Sequence, residues 1–104
     1  MDMDYESYAK VMRALSNPKR VKILDMLSCG EMCACDILEQ FDFTQPTLSQ
    51  HIKILIECDL VRVKKTGIWH YYFINENAAQ QSIQGTVQLL THSYGCICKT
   101  EGNQ

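Results

Sequence analysis

Around residue 59 the hydrophobic pattern of the chain changes its period, and that change constrains the fold more than any other feature. Upstream, Leu48, Ile52, Leu55 and Ile56 recur at helical spacing, in a helix that starts at Thr44-Gln45-Pro46 and runs to about Cys58. Downstream, Leu60 to Val63 and Ile68 to Ile74 are rich in β-branched and aromatic residues, and Lys64-Lys65-Thr66-Gly67 supplies turn chemistry between them. A helix followed at once by a basic-tipped hairpin leaves few architectures open.

The remaining segments narrow the choice. Tyr5, Tyr8, Met12 and Leu15 recur at helical spacing, and Asn17-Pro18 stops that helix and caps a second, whose apolar side is Ile23, Leu24 and Leu27. After Gly30, the positions Ala34, Ile37, Leu38 and Phe41 predict a short third helix ending near Asp42. A connection of three residues then leads to the helix at Thr44, which suggests a helix-turn-helix. A last helix, roughly 78 to 93, carries Ile83, Val87, Leu90 and Tyr94 on one face, for the core or for a second subunit. The expectation is a mainly α fold with a β-hairpin wing: three helices, a reading helix, two strands and a fifth helix, which is a winged helix-turn-helix. Its 104 residues suit one domain, expected over 1–94, with a Cys-containing tail over 95–104.

Charge is informative only locally. Ten Lys and Arg against twelve Asp and Glu give a net charge of −2, so the whole-protein field gives no reason to expect nucleic acid. Residues 43 to 74, however, hold four basic and two acidic side chains, against five and eight before them and one and two after. A solvated basic face has the same signature. The acidic start Met1-Asp2-Met3-Asp4-Tyr5-Glu6 is unlike a secretory signal, and no apolar run reaches the roughly 18 residues of a membrane span. The expected compartment is therefore the cytoplasm, where thiols stay reduced and six Cys read as metal ligands or redox sensors rather than disulfides.

With Leu48 facing the core, a turn of about 100 degrees per residue sends Thr47, Gln50 and Lys53 to the opposite side and Ser49 and His51 to the flanks. With Gln45 at the helix start, these side chains suit a major groove, where Gln pairs bidentately with adenine and Ser or Thr donates or accepts. Lys64 and Lys65 are placed to meet the adjacent backbone or minor groove. An ordinary amphipathic surface helix would look similar; the basic hairpin directly after it favours DNA.

Ala14-Leu15-Ser16-Asn17-Pro18-Lys19-Arg20-Val21-Lys22-Ile23-Leu24, Thr44-Gln45-Pro46-Thr47-Leu48-Ser49-Gln50-His51-Ile52-Lys53-Ile54-Leu55, and Gly67 through Tyr71-Tyr72 resemble signature stretches of the ArsR/SmtB metalloregulatory repressors. The similarity runs over about residues 5 to 94. It implies a homodimer joined by the first and fifth helices, two recognition helices reading a palindromic operator in double-stranded DNA, repression without any cofactor, and release when an inducer binds.

The thiols are the expected sensing chemistry. On a regular third helix Cys33 and Cys35 lie about 200 degrees apart, flanking the apolar stripe, in a first turn that favours thiolate. Thiolates select soft ions: trivalent arsenic or antimony, cadmium, lead, zinc or monovalent copper. Side chains so divergent cannot both reach an ion at about 2.3 Å unless the turn changes shape, and such a change would re-aim the reading helix. Glu31-Met32-Cys33-Ala34-Cys35-Asp36 also resembles the family's metal-binding box, with Leu38 where the arsenic-sensing version often has a third Cys. The resemblance supplies the missing ligand from a terminal segment, here Cys96-Ile97-Cys98. Three thiolates suit As(III) or Sb(III) and four suit Cd(II), Pb(II) or Zn(II); the box favours arsenite. Cys29 is a spare candidate, Cys58 is expected to pack against the wing, and His92 is expected at the surface, since no Asp and His constellation marks the last helix. The rivals are a thiol redox or persulfide sensor and a structural zinc module. No nucleophile-base grouping or phosphate-cradling loop suggests an enzyme.

Overall fold

The computed structural model describes residues 3–91. Cys96, Cys98, His92 and Tyr94 lie outside the described residues. The elements run α1 (Tyr5–Ala14), α2 (Pro18–Leu27), β1 (Met32–Cys33), α3 (Ala34–Leu38), α4 (Gln45–Glu57), β2 (Val61–Thr66), β3 (Trp69–Ile74) and α5 (Glu76–Leu90). The winged helix-turn-helix expected above is the fold observed, with one strand more than the hairpin.

Three of the helices, α1, α2 and α5, begin where a short polar side chain satisfies free N–H groups, whereas Thr44 at the start of α4 makes no side-chain cap bond. The Asp4 carboxylate accepts from the Glu6 and Ser7 amides at 3.1 and 3.2 Å, and Asn17 accepts from the Lys19 amide at 2.8 Å with Pro18 in the first turn. Asn75 does the same for α5 through the Ala78 amide. The end of α4 sets the direction of the wing. Asp59 takes a left-handed φ of 73°, the Leu60 amide donates back to the Leu55 carbonyl at 3.1 Å, and the Asp59 amide donates to Ile56 at 2.9 Å. These paired bonds stop the helix, and they bring Leu60 against the core beside Leu55.

The core is one cluster. Val11 and Ala14 of α1, Ile23 and Leu27 of α2, Ile37 of α3, and Leu48, Ile52 and Leu55 of α4 are all buried with Leu60 and Val61. The α4 stripe is the one the periodicity predicts. On α1 the deepest residues are Val11 and Ala14, whereas Tyr5 is exposed. Cys58 is buried in the same cluster and its Sγ donates to the Leu55 carbonyl at 3.4 Å.

Four expectations change in detail. The third helix stops at Leu38 and continues as tight turns, with the Gln40 and Phe41 amides bonded to Ile37 and Leu38, so residues 39–44 connect it to α4 instead of three. Phe41 and Phe43 stack there with centroids 4.5 Å apart, which gives the longer connection its own packing. The hairpin strands extend through Thr66, and a two-residue turn at Gly67-Ile68, with Gly67 at a φ of 62°, closes it. Lys64 and Lys65 therefore lie within β2 on opposite faces, and the tip carries the exposed apolar Ile68 and Trp69. Finally, Met32 and Cys33 form a strand that pairs antiparallel with β3, opposite Tyr72 and Tyr71, giving the order β1-β3-β2.

At the other end, α5 lies on α1 through Gly85, where a Cβ would stand 3.2 Å from the Tyr8 ring, and through a 2.6 Å hydrogen bond between the Tyr8 and Thr86 hydroxyls. Its stripe of Ile83, Val87 and Leu90 faces outward and is 53%, 54% and 79% exposed. Among the described residues no helix is long and apolar enough to cross a membrane.

Candidate functional site

The extended backbone of Cys33 decides the geometry of the thiol site. At φ −79° and ψ 158° it is the N-cap of α3 and the end of β1, so the helical rotation of about 100 degrees per residue does not apply between Cys33 and Cys35. The expected divergence of the two side chains is thereby overturned: their Sγ atoms are 2.6 Å apart. Cys33 is also buried, where the sequence places it on the flank of the apolar stripe, while Cys35 is exposed. The cap explains the burial, because the Cys33 Sγ turns inward to accept the Asp36 amide at 3.4 Å.

Asp36 is the member that the sequence reasoning missed. The ligand atoms of Cys33, Cys35 and Asp36 all lie within 4.8 Å of one another. Two sulfurs on one ion at about 2.3 Å stand about 3.5 Å apart, so the pair needs to open by only about 1 Å to hold a soft ion together. The donor set therefore fits a thiophilic ion without remaking the turn, which removes the mechanism expected above. Cys29 is exposed and outside this group. At Cys35 the hydrogen bond to Cys33 holds the thiol above its usual range, with slight desolvation and the charges of Cys33 and Asp36 acting in the same direction and a backbone hydrogen bond at Asp36 opposing them. Cys96 and Cys98, expected to complete the set, lie outside the described residues.

Next to the thiols, α4 presents the expected polar face. Gln45, Thr47, Ser49, Gln50 and Lys53 are exposed, on the side opposite buried Leu48, Ile52 and Leu55. His51 differs, being half-buried: its ring lies 5.6 Å from that of Phe43, and its Nδ1 accepts from Arg20 Nη1 at 3.1 Å. A guanidinium only donates, so this contact requires Nδ1 without a proton. Burial first, then the charges of Arg20 and Lys19, depress the His51 pKa below its ordinary value of 6.5. The same Arg20 donates through Nε to the Ala14 carbonyl at 2.7 Å, tying the end of α1 to the reading helix.

On the wing, Lys65 is exposed opposite His70. Lys64 is engaged, with its Nζ 3.0 Å from the Glu31 carboxylate and 6.0 Å from the Tyr71 ring centroid. The wing, α4 and the start of α3 enclose a cleft of about 610 Å³ whose lining includes Cys33, Cys35, Ser49, Lys53, Trp69 and His70. Thiol site and reading face thus share one cleft.

Residues 17–63 match the family model described as "Bacterial regulatory protein, arsR family". The chain is 44% identical over 97 residues to an arsenical resistance operon repressor of Staphylococcus xylosus, and 43% identical over 97 residues to one of Staphylococcus aureus, covering 93% of both chains in each case. Among solved structures, HlyU from Vibrio cholerae superposes with a TM-score of 0.67 at 25% identity, over 86% of this chain and 98% of that one. The chain belongs to the ArsR family of bacterial regulatory proteins.

Proposed function

We propose that this chain is a cytoplasmic, homodimeric transcriptional repressor that binds a palindromic operator through α4 and the wing and releases it when As(III) or Sb(III) binds Cys33 and Cys35. The observation that carries this reading is the meeting of the two thiols, 2.6 Å apart, at the edge of the cleft they share with the reading helix. The names of the staphylococcal relatives support the arsenic assignment. The outward stripe of Ile83, Val87 and Leu90 supports a second copy packed along α5, since a run of large apolar side chains on one helix face is stabilised by removal from water.

In this reading Gln45, Thr47, Ser49 and Gln50 meet base edges, while Lys53 and Lys65 meet phosphates. His51 acts mainly through its contact with Arg20, which fixes the pitch of α4. Lys64 reaches DNA on leaving Glu31. Cys96 or Cys98 supplies the third thiolate of pyramidal arsenic. Repression needs no cofactor, and no chemical reaction is catalysed. Release requires the ion to prefer the conformation that fits DNA poorly, and the shared cleft couples the two events.

Titration of reduced protein on its upstream DNA with arsenite, antimonite, cadmium, lead and zinc tests the reading. Release by arsenite at the lowest concentration, lost in Cys33→Ser and in Cys35→Ser, is expected. Equal operator affinity with and without saturating ion would refute it. Four thiolates from Cys33, Cys35, Cys96 and Cys98 would instead suit Cd(II), Pb(II) or Zn(II), and lead or cadmium would then act first in the same titration. The contact between Cys33 and Cys35 also favours a redox or persulfide reading, in which oxidant alone releases the DNA.

A further inference from the structure

We propose that the tip of the wing is an apolar wedge: Ile68, at the apex of the turn between β2 and β3, enters the minor groove beside each half-site and opens a base step, so that the operator is chosen in part by how easily that step bends. The proposal rests on the reading of α4 and the wing as the DNA-binding surface, and it adds a residue that selects sequence without a hydrogen bond.

Position is the first reason. Beyond Val61 every residue of β2 is exposed, and Trp69 and His70 at the start of β3 are exposed with them, so the outer hairpin stands clear of the core. From Val61 to Thr66 the strand extends about 17 Å at the usual rise per residue. That reach matches the half helical turn, about 17 Å, that separates a major groove from the next minor groove. The turn is the second reason. Gly67 at a φ of 62° and Ile68 close the hairpin in two residues, which leaves one large side chain at its apex. Ile68 is 86% exposed and Trp69 beside it 50%. A lone exposed apolar residue is ordinary, but two that adjoin at the tip of a projecting hairpin mark a contact.

The surroundings identify the partner. Lys65 and His70 pair across the strands one step behind Thr66 and Trp69, where they can meet the phosphates that wall a groove. Ser49 and Lys53 of α4 line the same cleft as Ile68 and Trp69, so the tip is continuous with the surface assigned to DNA. Neither Gly67 nor Ile68 carries a charge, and Ile has no donor or acceptor with which to tell A·T from G·C in the minor groove. What remains to such a side chain is to part stacked bases. Apolar wedges do this by kinking the duplex, and flexible pyrimidine–purine steps such as TA yield more readily than stiff A-tracts.

The test uses the full-length protein on its upstream DNA, with hydroxyl-radical cleavage to locate the minor-groove contact and energy transfer between labelled DNA ends to measure the bend. A kink of at least about 20° at each contact is expected, with 2-aminopurine emission rising at the opened step. Trp69, the single Trp of the chain, should become shielded from acrylamide. Placing TA rather than AA at that step should strengthen binding about fivefold per half-site, the scale of one mismatched pair. Ile68→Ala should weaken operator binding about tenfold, as expected for an Ile side chain no longer taken from water, and should abolish both the bend and the TA preference. Ile68→Arg should instead steepen the salt dependence and favour the A-tract, whose narrow groove attracts a cation. Neither variant should move the thermal unfolding midpoint, because the side chain is exposed. An operator left straight, or a TA preference of full size in Ile68→Ala, would overturn the wedge even if α4 reads the major groove. Operator binding undiminished in both Gln50→Ala and Lys53→Ala would instead remove α4 from the groove, and with it the reading beneath the proposal.

Discussion

Arg20 joins three elements of the reading unit, and its replacement by Met should loosen them together. Its Nε donates to the Ala14 carbonyl at 2.7 Å and its Nη1 to His51 Nδ1 at 3.1 Å, while a weaker contact of Nη2 reaches the Arg13 carbonyl at 3.4 Å. Hydrogen bonds from a charged donor contribute about 1.5 to 3 kcal/mol each. Arg20 is half-buried, so the lower end applies to the two short bonds and solvent reduces it further, leaving an expected loss of about 2 kcal/mol. For a domain of this size that lowers the melting temperature by about 10 °C. Urea unfolding measures the loss, and Arg20→Lys should recover little of it because an ammonium cannot span both acceptors.

The same variant carries a signature at His51. Its pKa lies below the unfolded value, owing first to burial and then to Arg20 and Lys19. A neutral His51 therefore contributes stability that is present above pH 6.5 and lost as pH falls through the lower folded value. In Arg20→Met the folded value should climb toward 6.5 and the window should narrow, with burial keeping part of the shift. NMR titration of the His51 ring reads this directly. An unchanged His51 titration together with an unchanged urea midpoint would refute the argument that Arg20 couples α1 to α4.

Four further outcomes follow from other contacts. Asp59→Gly should raise stability by about 0.5 to 1 kcal/mol in urea unfolding, because Asp59 holds a left-handed φ of 73° that glycine adopts without steric cost. Ile37→Ala should cost about 2 to 5 kcal/mol and weaken operator binding in proportion, since Ile37 is fully buried and anchors α3 in the core it shares with α4. Lys65→Ala should lower the slope of log affinity against log salt by about 0.9 per protomer contact in an operator titration, whereas Glu31→Gln, which frees Lys64, should raise operator affinity with less than about 1 kcal/mol change in stability.

Helix positions were legible in the chain because their determinants are local. Asn17-Pro18 caps its own helix, and Leu48, Ile52 and Leu55 line up through a period that needs no partner. The exposed face of α4 follows from the same period, which is why Gln45, Thr47, Ser49, Gln50 and Lys53 lie where expected. His51 escaped that logic because Arg20 and Phe43, distant or around a bend in sequence, decide its burial.

By itself, then, the sequence determined the order of helices and strands, the buried stripe of α4 and the kind of chemistry that paired cysteines bring. Tertiary structure alone decided how those cysteines meet. Met32 and Cys33 become a strand only because β3, nearly forty residues later, offers Tyr72 and Tyr71 as partners. That pairing extends the backbone at Cys33, and the extended backbone turns its thiol toward Cys35. The cleft likewise exists only when the wing folds back beside α4. Contacts closed across long loops depend on the packing of the whole chain, and no local period records them.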